Sequence, residues 1–380
     1  MMLRYQNLAK LQTKRIVFED VLAARDSATL EHLKELSSKR RVIEESINHT
    51  SSVTEAIARE MSGGSTSCYQ QERLRLEQYL PLLENFISHA DFISGNSQMV
   101  LWTSQLKIRW SSALSSWSLF NLTGPKFFQI DNLRFELSMN LFLYGAILWE
   151  RASELLAAEP KQSAFIFREA AGVFHYLAHE VIPSLQPGIS GERPPEATPP
   201  VCVALCLLCL AESQAVYIRK AEEAGNTSFG VLSKLHHGVV GLLDESTVQL
   251  FSALEECNAI SSHFLEFISS CRALHELRSQ KYLAEVLKSD DHVGVAIGVL
   301  RDALITAEKE MPGVDAWKDV FRREIGKAAD TLGKFERENE FVWHEKVPSG
   351  DDLPTPQANK IVKIEPYQPM KWERELAFKL

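Results

Sequence analysis

From Asp131 to about Glu340 the apolar residues of this chain recur at spacings of three and four, the interval that stacks side chains on one face of an α-helix. One stripe is Phe135, Met139, Phe142, Ala146 and Trp149; another is Phe167, Ala171, Phe174, Ala178 and Val181. A third is Cys257, Ile260, Phe264, Phe267, Cys271 and Leu274. Val293, Ile297, Leu300 and Leu304 follow, then Phe321, Ile325, Ala328, Leu332 and Phe335. Each stripe is one-sided, so each helix must bury it against a neighbour.

Successive one-sided helices of about 20 residues predict stacked helical hairpins with TPR-like packing, although no repeat consensus is present. An irregular helical bundle is the alternative that periodicity leaves open. Before Asp131, helical patterns at about Ala28 to Glu60 and Gln70 to Ser94 flank the loop Ser62-Gly63-Gly64-Ser65. Lys14 to Glu19 reads as a short strand, while Asp91 to Leu122 mixes serines with Trp102, Trp110 and Trp117. Pro183 to Pro200 reads as an extended, exposed loop. After Phe341 the prolines Pro348, Pro354, Pro356, Pro366 and Pro369 predict an extended tail laid over the surface. The expected organisation is one mainly α domain over 1–380. Its parts are an N-terminal segment with short strands and helices (13–130), a helical core (131–340) and a tail packing back on it (341–380).

With 380 residues, 45% hydrophobic and 24% charged, the chain can bury a large core. A formal net charge of −9 provides no global basic field, so no nucleic-acid partner is expected. Cys68, Cys202, Cys206, Cys209, Cys257 and Cys271 are too few for a disulfide scaffold and fit reduced thiols in the cytosol. The amino terminus has no apolar signal core and no Gly at position 2, so a cytoplasmic protein is expected. The longest apolar run, Val201 to Ala211, is about half the roughly 20 residues that span a bilayer, so no membrane anchor is expected.

Cys202, Cys206 and Cys209 have the Cys-x3-Cys-x2-Cys spacing of some iron–sulfur sites. Such ligands need a loop that wraps the cluster. This run is apolar and follows Pro199-Pro200 as a helix start does, so it reads as packed thiols. His175 and His179 could share a helix face for a metal, but Tyr176 stands where a zincin has its glutamate. There is no phosphate-cradling glycine loop and no Gly-x-Ser-x-Gly elbow. No catalytic residue, cofactor or metal is expected, and the chain reads as non-enzymatic.

The helix beginning near Val201 carries the functional signal. At about 100° per residue, Val203, Leu207, Leu210, Gln214, Tyr217 and Ala221 form what reads as its core face. The opposite side is polar in its second half (Glu212, Ser213, Arg219, Lys220, Glu223) but apolar in its first: Cys202, Leu205, Cys206, Cys209 and, at the margin, Leu208. Either the preceding loop or another helix covers this patch, or it is an exposed docking site for an amphipathic helix.

Two segments carry a family resemblance. Asn339-Glu-Phe-Val-Trp-His-Glu-Lys-Val-Pro348 is similar to an aromatic-His-acid-base-Val-Pro signature after the last long helix of the Bro domain family of ESCRT-associated proteins. Ala211-Glu-Ser-Gln-Ala-Val-Tyr-Ile-Arg-Lys-Ala221 resembles its Ala-Gln-x-Gln-x-x-aromatic helix. Phe127 to Ala146 and Lys14 to Glu19 resemble a helix start and an opening strand of the same family, so the resemblance covers nearly the whole chain. It implies a boomerang-shaped Bro domain with a TPR-like core and short strands at one edge. The implied activity is binding the C-terminal amphipathic helix of an ESCRT-III subunit in endosomal and multivesicular-body sorting, with peripheral, indirect recruitment to endosomes. The implied docking residues are Cys202, Leu205, Cys206, Leu208 and Cys209. The coiled region and Pro-rich tail of longer members are not expected, nor is prenylation, since the last residues, Ala377-Phe-Lys-Leu380, form no such box. A structural adaptor for a different cargo or ubiquitin-type partner is the alternative.

Overall fold

Local chemistry sets where the helices begin and end. The Asp26 carboxylate, held below the usual range by hydrogen bonds from Thr29, accepts the Thr29 N–H at 2.7 Å and opens α1 (Ser27–Ser52). After α2 (Cys68–Phe92), the Asn96 side chain accepts from Gln98 N at 2.8 Å to start α3 (Ser97–Gln105). Asn132 does the same with Arg134 N for α4 (Leu133–Leu155). Prolines occupy the first helical positions of α5 (Pro160–Tyr176) and α6 (Pro199–Ala224), where a missing N–H costs nothing. Gly225, at φ 67°, stops α6 in the left-handed conformation that suits glycine. Four more helices follow: α7 (Phe229–Glu256), α8 (Ser262–Ser289), α9 (Val293–Lys309) and α10 (Asp315–Glu338).

These elements belong to a computed structural model describing residues 3–52, 67–93, 95–115, 124–185, 192–256, 260–370 and 374–380. The Ser62–Ser65 loop, Trp117 and Cys257 fall outside them. Among the described residues there are ten α-helices and one two-stranded sheet. From α4 to α10 each helix packs on the next, and α2 packs on both α1 and α4. Sequential antiparallel neighbours of this kind are stacked hairpins. Phe135, Met139, Phe142, Ala146 and Trp149 are buried in α4, and Phe167, Ala171 and Phe174 in α5. A second, smaller core under α8, α9 and α10 holds Leu277, Ile297, Leu300 and Phe335.

The sheet pairs β1 (Arg109–Ser111) with β2 (Phe127–Gln129) in antiparallel register, Trp110 opposite Phe128. The expected strand over 14–19 is corrected: Thr13 alone bridges Trp110, and Lys14 N donates to the Arg109 carbonyl at 3.3 Å. Beyond it, Phe18 N turns to Ser37 Oγ at 2.9 Å, while the Phe18 carbonyl accepts from Val21 and Leu22. The alternation of Ile16 and Phe18 reflects two side chains dropped into the core rather than a ladder.

The loop from Pro183 to Pro200 is also not wholly exposed, because residues 194–198 are buried. The cause is Glu196, whose carboxylate accepts from Ala113 N at 2.7 Å, Leu114 N at 2.9 Å and Ser112 Oγ at 2.9 Å. It thereby pins the segment that leads into α6. A second buried carboxylate ties the N-terminal part together. Glu136 of α4 pairs with Arg40 of α1 and accepts from Trp110 Nε1 at 2.7 Å, Asn140 Nδ2 at 2.9 Å and the Tyr79 hydroxyl at 3.3 Å.

Past α10 the chain makes a wide turn over Asn339–Trp343, and His344 adopts φ 53°. The Asn339 amide clamps this turn, donating to the Glu345 carbonyl at 3.0 Å and accepting from Glu345 N at 2.9 Å. From there residues 345–370 run as a strap across the helices, and glycine marks the crossings. A Cβ on Gly294 or Gly298 would lie 2.5 Å from the carbonyl oxygen of Lys346 or Pro348, one on Gly238 would lie 2.1 Å from that of Asn359, and one on Gly172 would lie 1.7 Å from that of Glu365. The last residues, 374–380, lie beside α1, where Ala377 N donates to Thr29 Oγ1 at 2.9 Å.

Candidate functional site

Helix α6 lies between α5 and α7 with residues 195–197 against it, and this surrounding inverts the faces expected from sequence. Cys202, Leu205, Cys206, Leu208 and Cys209 are all buried, the most exposed being Cys206 at 6%. They are core, and no partner can touch them in this conformation. Cys202 Sγ lies 3.4 Å from the Glu196 carbonyl, and burial pushes the Cys202, Cys206 and Cys209 thiols up, keeping them protonated.

What disguised this face was the start of its polar second half, because Glu212 and Ser213 are also buried while Arg219, Lys220 and Glu223 reach solvent. Ser213 Oγ donates to the Ala164 carbonyl of α5 at 2.9 Å, so the hydroxyl serves helix packing rather than water. Glu212 is buried as well, and burial pushes its carboxyl up to about 8, so it enters the core neutral. By length and composition α6 is long and apolar enough to cross a membrane, yet 83% of its most apolar stretch is buried inside the fold.

The side read as core is the open one. Val203, Leu207 and Tyr217 are partly exposed, with Leu210 at the border. Its second half is held by the strap. The Gln214 side chain donates to the Asn359 carbonyl at 2.9 Å and accepts from Ile361 N at 3.0 Å, and it also donates to Leu235 O at 2.8 Å. Gln214 is fully buried, as sequence reasoning placed it, and there its two-ended amide seats the strap. Its first half, Val203 to Leu210, lies beyond that clamp. Ser246 Oγ bonds the Ala204 carbonyl at 3.0 Å, setting the register that brings Val248 of α7, 64% exposed, level with the first turns of α6. Glu245 on the same side of α7 pairs with Lys360 of the strap. The result is an apolar strip bounded on one side by a charged pair.

Other features of the sequence resolve differently. His175 and His179 are exposed and stacked, 4.2 Å between ring centroids. His236 is buried, its Nδ1 2.9 Å from Nδ1 of His275 and its Nε2 3.2 Å from Glu222. Burial alone would raise the Glu222 carboxyl, but hydrogen bonds from His236 and Tyr282 outweigh it and bring it to about 2. Among the described residues no three His, Cys, Asp or Glu side chains converge as metal ligands do. Phe341, Val342 and Trp343 of the signature segment are exposed, Phe341 by 75%.

Residues 34–379 match the BRO1-like domain family. Curated relatives include the programmed cell death 6-interacting protein of Xenopus laevis, 22% identical over 270 residues, covering 69% of this chain and 29% of that protein. The apoptosis-linked gene 2-interacting protein X 1 of Caenorhabditis elegans is 24% identical over 336 residues, 84% of this chain and 36% of that one. The human BRO1 domain-containing protein BROX is 24% identical over 292 residues, covering 72% and 67%. The chain thus spans about a third of the length of the first two. Among solved structures, an ALIX BRO1 domain in complex with CHMP4C superposes with a TM-score of 0.67 at 17% identity, covering 94% of both chains. ALIX in complex with a SIVmac239 late domain gives 0.71 at 18% identity, covering 97% of this chain and 49% of that one. These likenesses establish the fold: a mainly helical BRO1 domain with short strands.

Proposed function

The chain belongs to the BRO1-like domain family, and on that premise we propose that it is a non-enzymatic ESCRT-associated scaffold. It holds the C-terminal amphipathic helix of an ESCRT-III subunit in endosomal and multivesicular-body sorting, and is recruited peripherally to endosomes. Two relatives support the reading: a vacuolar protein-sorting protein BRO1 from Yarrowia lipolytica and the ALIX BRO1 domain captured with CHMP4C. The observation that carries it is the partly open apolar face of α6, with Val203, Leu207 and Leu210 in line and Val248 beside them. Knobs from one face of a partner helix would fill this strip. Burying two or three such aliphatic side chains, at about 1.5 to 3 kcal/mol each, corresponds to millimolar to micromolar capture.

The test is fluorescence anisotropy with labelled C-terminal peptides of the ESCRT-III subunits. Leu207→Asp should weaken the best peptide at least about 30-fold while circular dichroism stays unchanged, since this side chain is partly exposed. Leu205→Asp should instead unfold the protein, because Leu205 is fully buried. Undiminished binding by a folded Leu207→Asp protein would remove the assignment.

The exposed run Phe341-Val342-Trp343 favours a second reading, an adaptor for another cargo. In that case Trp343→Ala abolishes capture of the cargo while Leu207→Asp leaves it intact.

A further inference from the structure

Under the strap, between α2, α4 and α5, lies a cavity of about 370 Å³. Its floor is apolar, laid by Leu80, Leu148 and Val173. Tyr144 of α4 and Tyr367 of the strap stand as walls, edge-on to one another with ring centroids 6.2 Å apart. The remaining polar lining is Glu77, Glu169, Glu365 and the amide of Gln368, with no lysine, arginine or histidine.

The nearby cations leave this acid under-served. Arg73 Nε is committed to Glu77 at 2.7 Å and reaches Glu169 only at 3.4 and 3.5 Å, while Arg168 meets Glu365 at 3.2 Å. Two guanidinium groups, neither lining the cavity, therefore serve three carboxylates. A fourth carboxyl, Glu84, lies against Tyr367 and has no ion-pair partner among the described residues; burial pushes it up to about 7. A half-open cleft with an aliphatic floor, two aromatic walls and surplus carboxylate repels anions and offers little to a neutral polar molecule. Its chemistry matches a cation on an aliphatic stem, the stem on the leucines and the charge between tyrosine rings and carboxylates.

We propose that the cavity beneath the strap binds an alkylammonium group, its methylenes on Leu80, Leu148 and Val173 and its charge between Tyr144, Tyr367 and Glu169. The group comes either from a lysine side chain of a peptide or from a free amine. The strap contributes Tyr367 and Glu365, so occupancy and seating of the strap are linked.

The experiment titrates Nα-acetyl-lysine methylamide, its isostere Nα-acetyl-norleucine methylamide, and pentylamine against the intact chain, reading amide shifts of Tyr367 and Gln368 by NMR. The lysine probe should bind at least about tenfold more tightly than the norleucine probe, and 0.5 M salt should erase most of the difference. Glu169→Gln should weaken the lysine probe by about fivefold or more. Tighter binding of the lysine probe than of pentylamine assigns the group to a peptide, and equal binding assigns it to a free amine. Equal binding of lysine and norleucine probes to the unaltered protein overturns the proposal, whatever the variant does. Shifts confined to residues away from the strap overturn it as well.

Discussion

Replacing Gly172 with alanine tests the seating of the strap with one methyl group. The new Cβ would sit 1.7 Å from the Glu365 carbonyl oxygen, 2.8 Å from its carbon and 3.1 Å from Tyr367 N, all backbone atoms that cannot rotate away. The strap must lift, and lifting breaks the bond from Glu365 N to the Arg168 carbonyl (3.0 Å) and that from Arg168 Nε to the Lys363 carbonyl (2.7 Å). At about 1 kcal/mol per bond, plus about 1 to 2 kcal/mol from partial exposure of Tyr367, the expected loss is about 3 to 4 kcal/mol. The Arg168–Glu365 ion pair adds little, since its carboxylate is 42% exposed. The internal control is Gly326→Ala in α10, where a Cβ would meet nothing within 4 Å. That change should stabilise the protein by about 0.5 to 1 kcal/mol, because alanine restricts the unfolded chain and favours the helix. The assay is urea unfolding of both variants with hydrogen exchange at the Ile361 and Glu365 amides. A Gly172→Ala protein within about 0.5 kcal/mol of the parent, with the Glu365 amide still protected, would refute the reasoning.

Glu212→Gln should change the pH dependence of stability. The folded carboxyl holds its proton up to about 8 while the unfolded one loses it near 4.5, so the parent loses stability as pH rises between them. The variant's advantage over the parent should grow by about 4 kcal/mol, to order of magnitude, from pH 5 to pH 8.5, at 1.36 kcal/mol per unit; a pH-independent difference in urea unfolding would contradict this. Arg40→Met leaves Glu136 uncompensated in a site where both side chains are fully buried, and should cost about 3 to 5 kcal/mol. Denaturation showing a loss under about 1 kcal/mol would mean the pair is not what joins α1 to α4. Of the five described cysteines, only Cys68 is exposed, so a thiol reagent should label it in the native protein and reach Cys202, Cys206, Cys209 and Cys271 only on unfolding.

Periodicity was a reliable guide to helices because an apolar stripe has one physical use in water. The stripes through Phe135 to Trp149 and Phe321 to Phe335 lie on α4 and α10, and the cap residue Asn132, visible in the sequence, marks where α4 begins. The strand expected over 14–19 failed because alternation records which side chains go inward, while a strand also needs a partner backbone. The loop before α6 was misread because proline content signals the absence of a helix and is silent about a carboxylate such as Glu196 that draws the backbone inside.

The candidate site was half legible. The sequence by itself determined that α6 carries more apolar surface than one packing face needs, and that Gln214 interrupts one side of it. Which side is open was decided by tertiary structure alone, because α5, α7 and residues 195–197 enclose the face with Glu212 and Ser213, polar groups that a single helix would be expected to turn to water. The glycines at 172, 238, 294 and 298 were visible from the start, but their purpose exists only where the strap crosses. A glycine leaves room without saying for what, since the backbone that fills it comes from between 50 and 193 residues further along the chain.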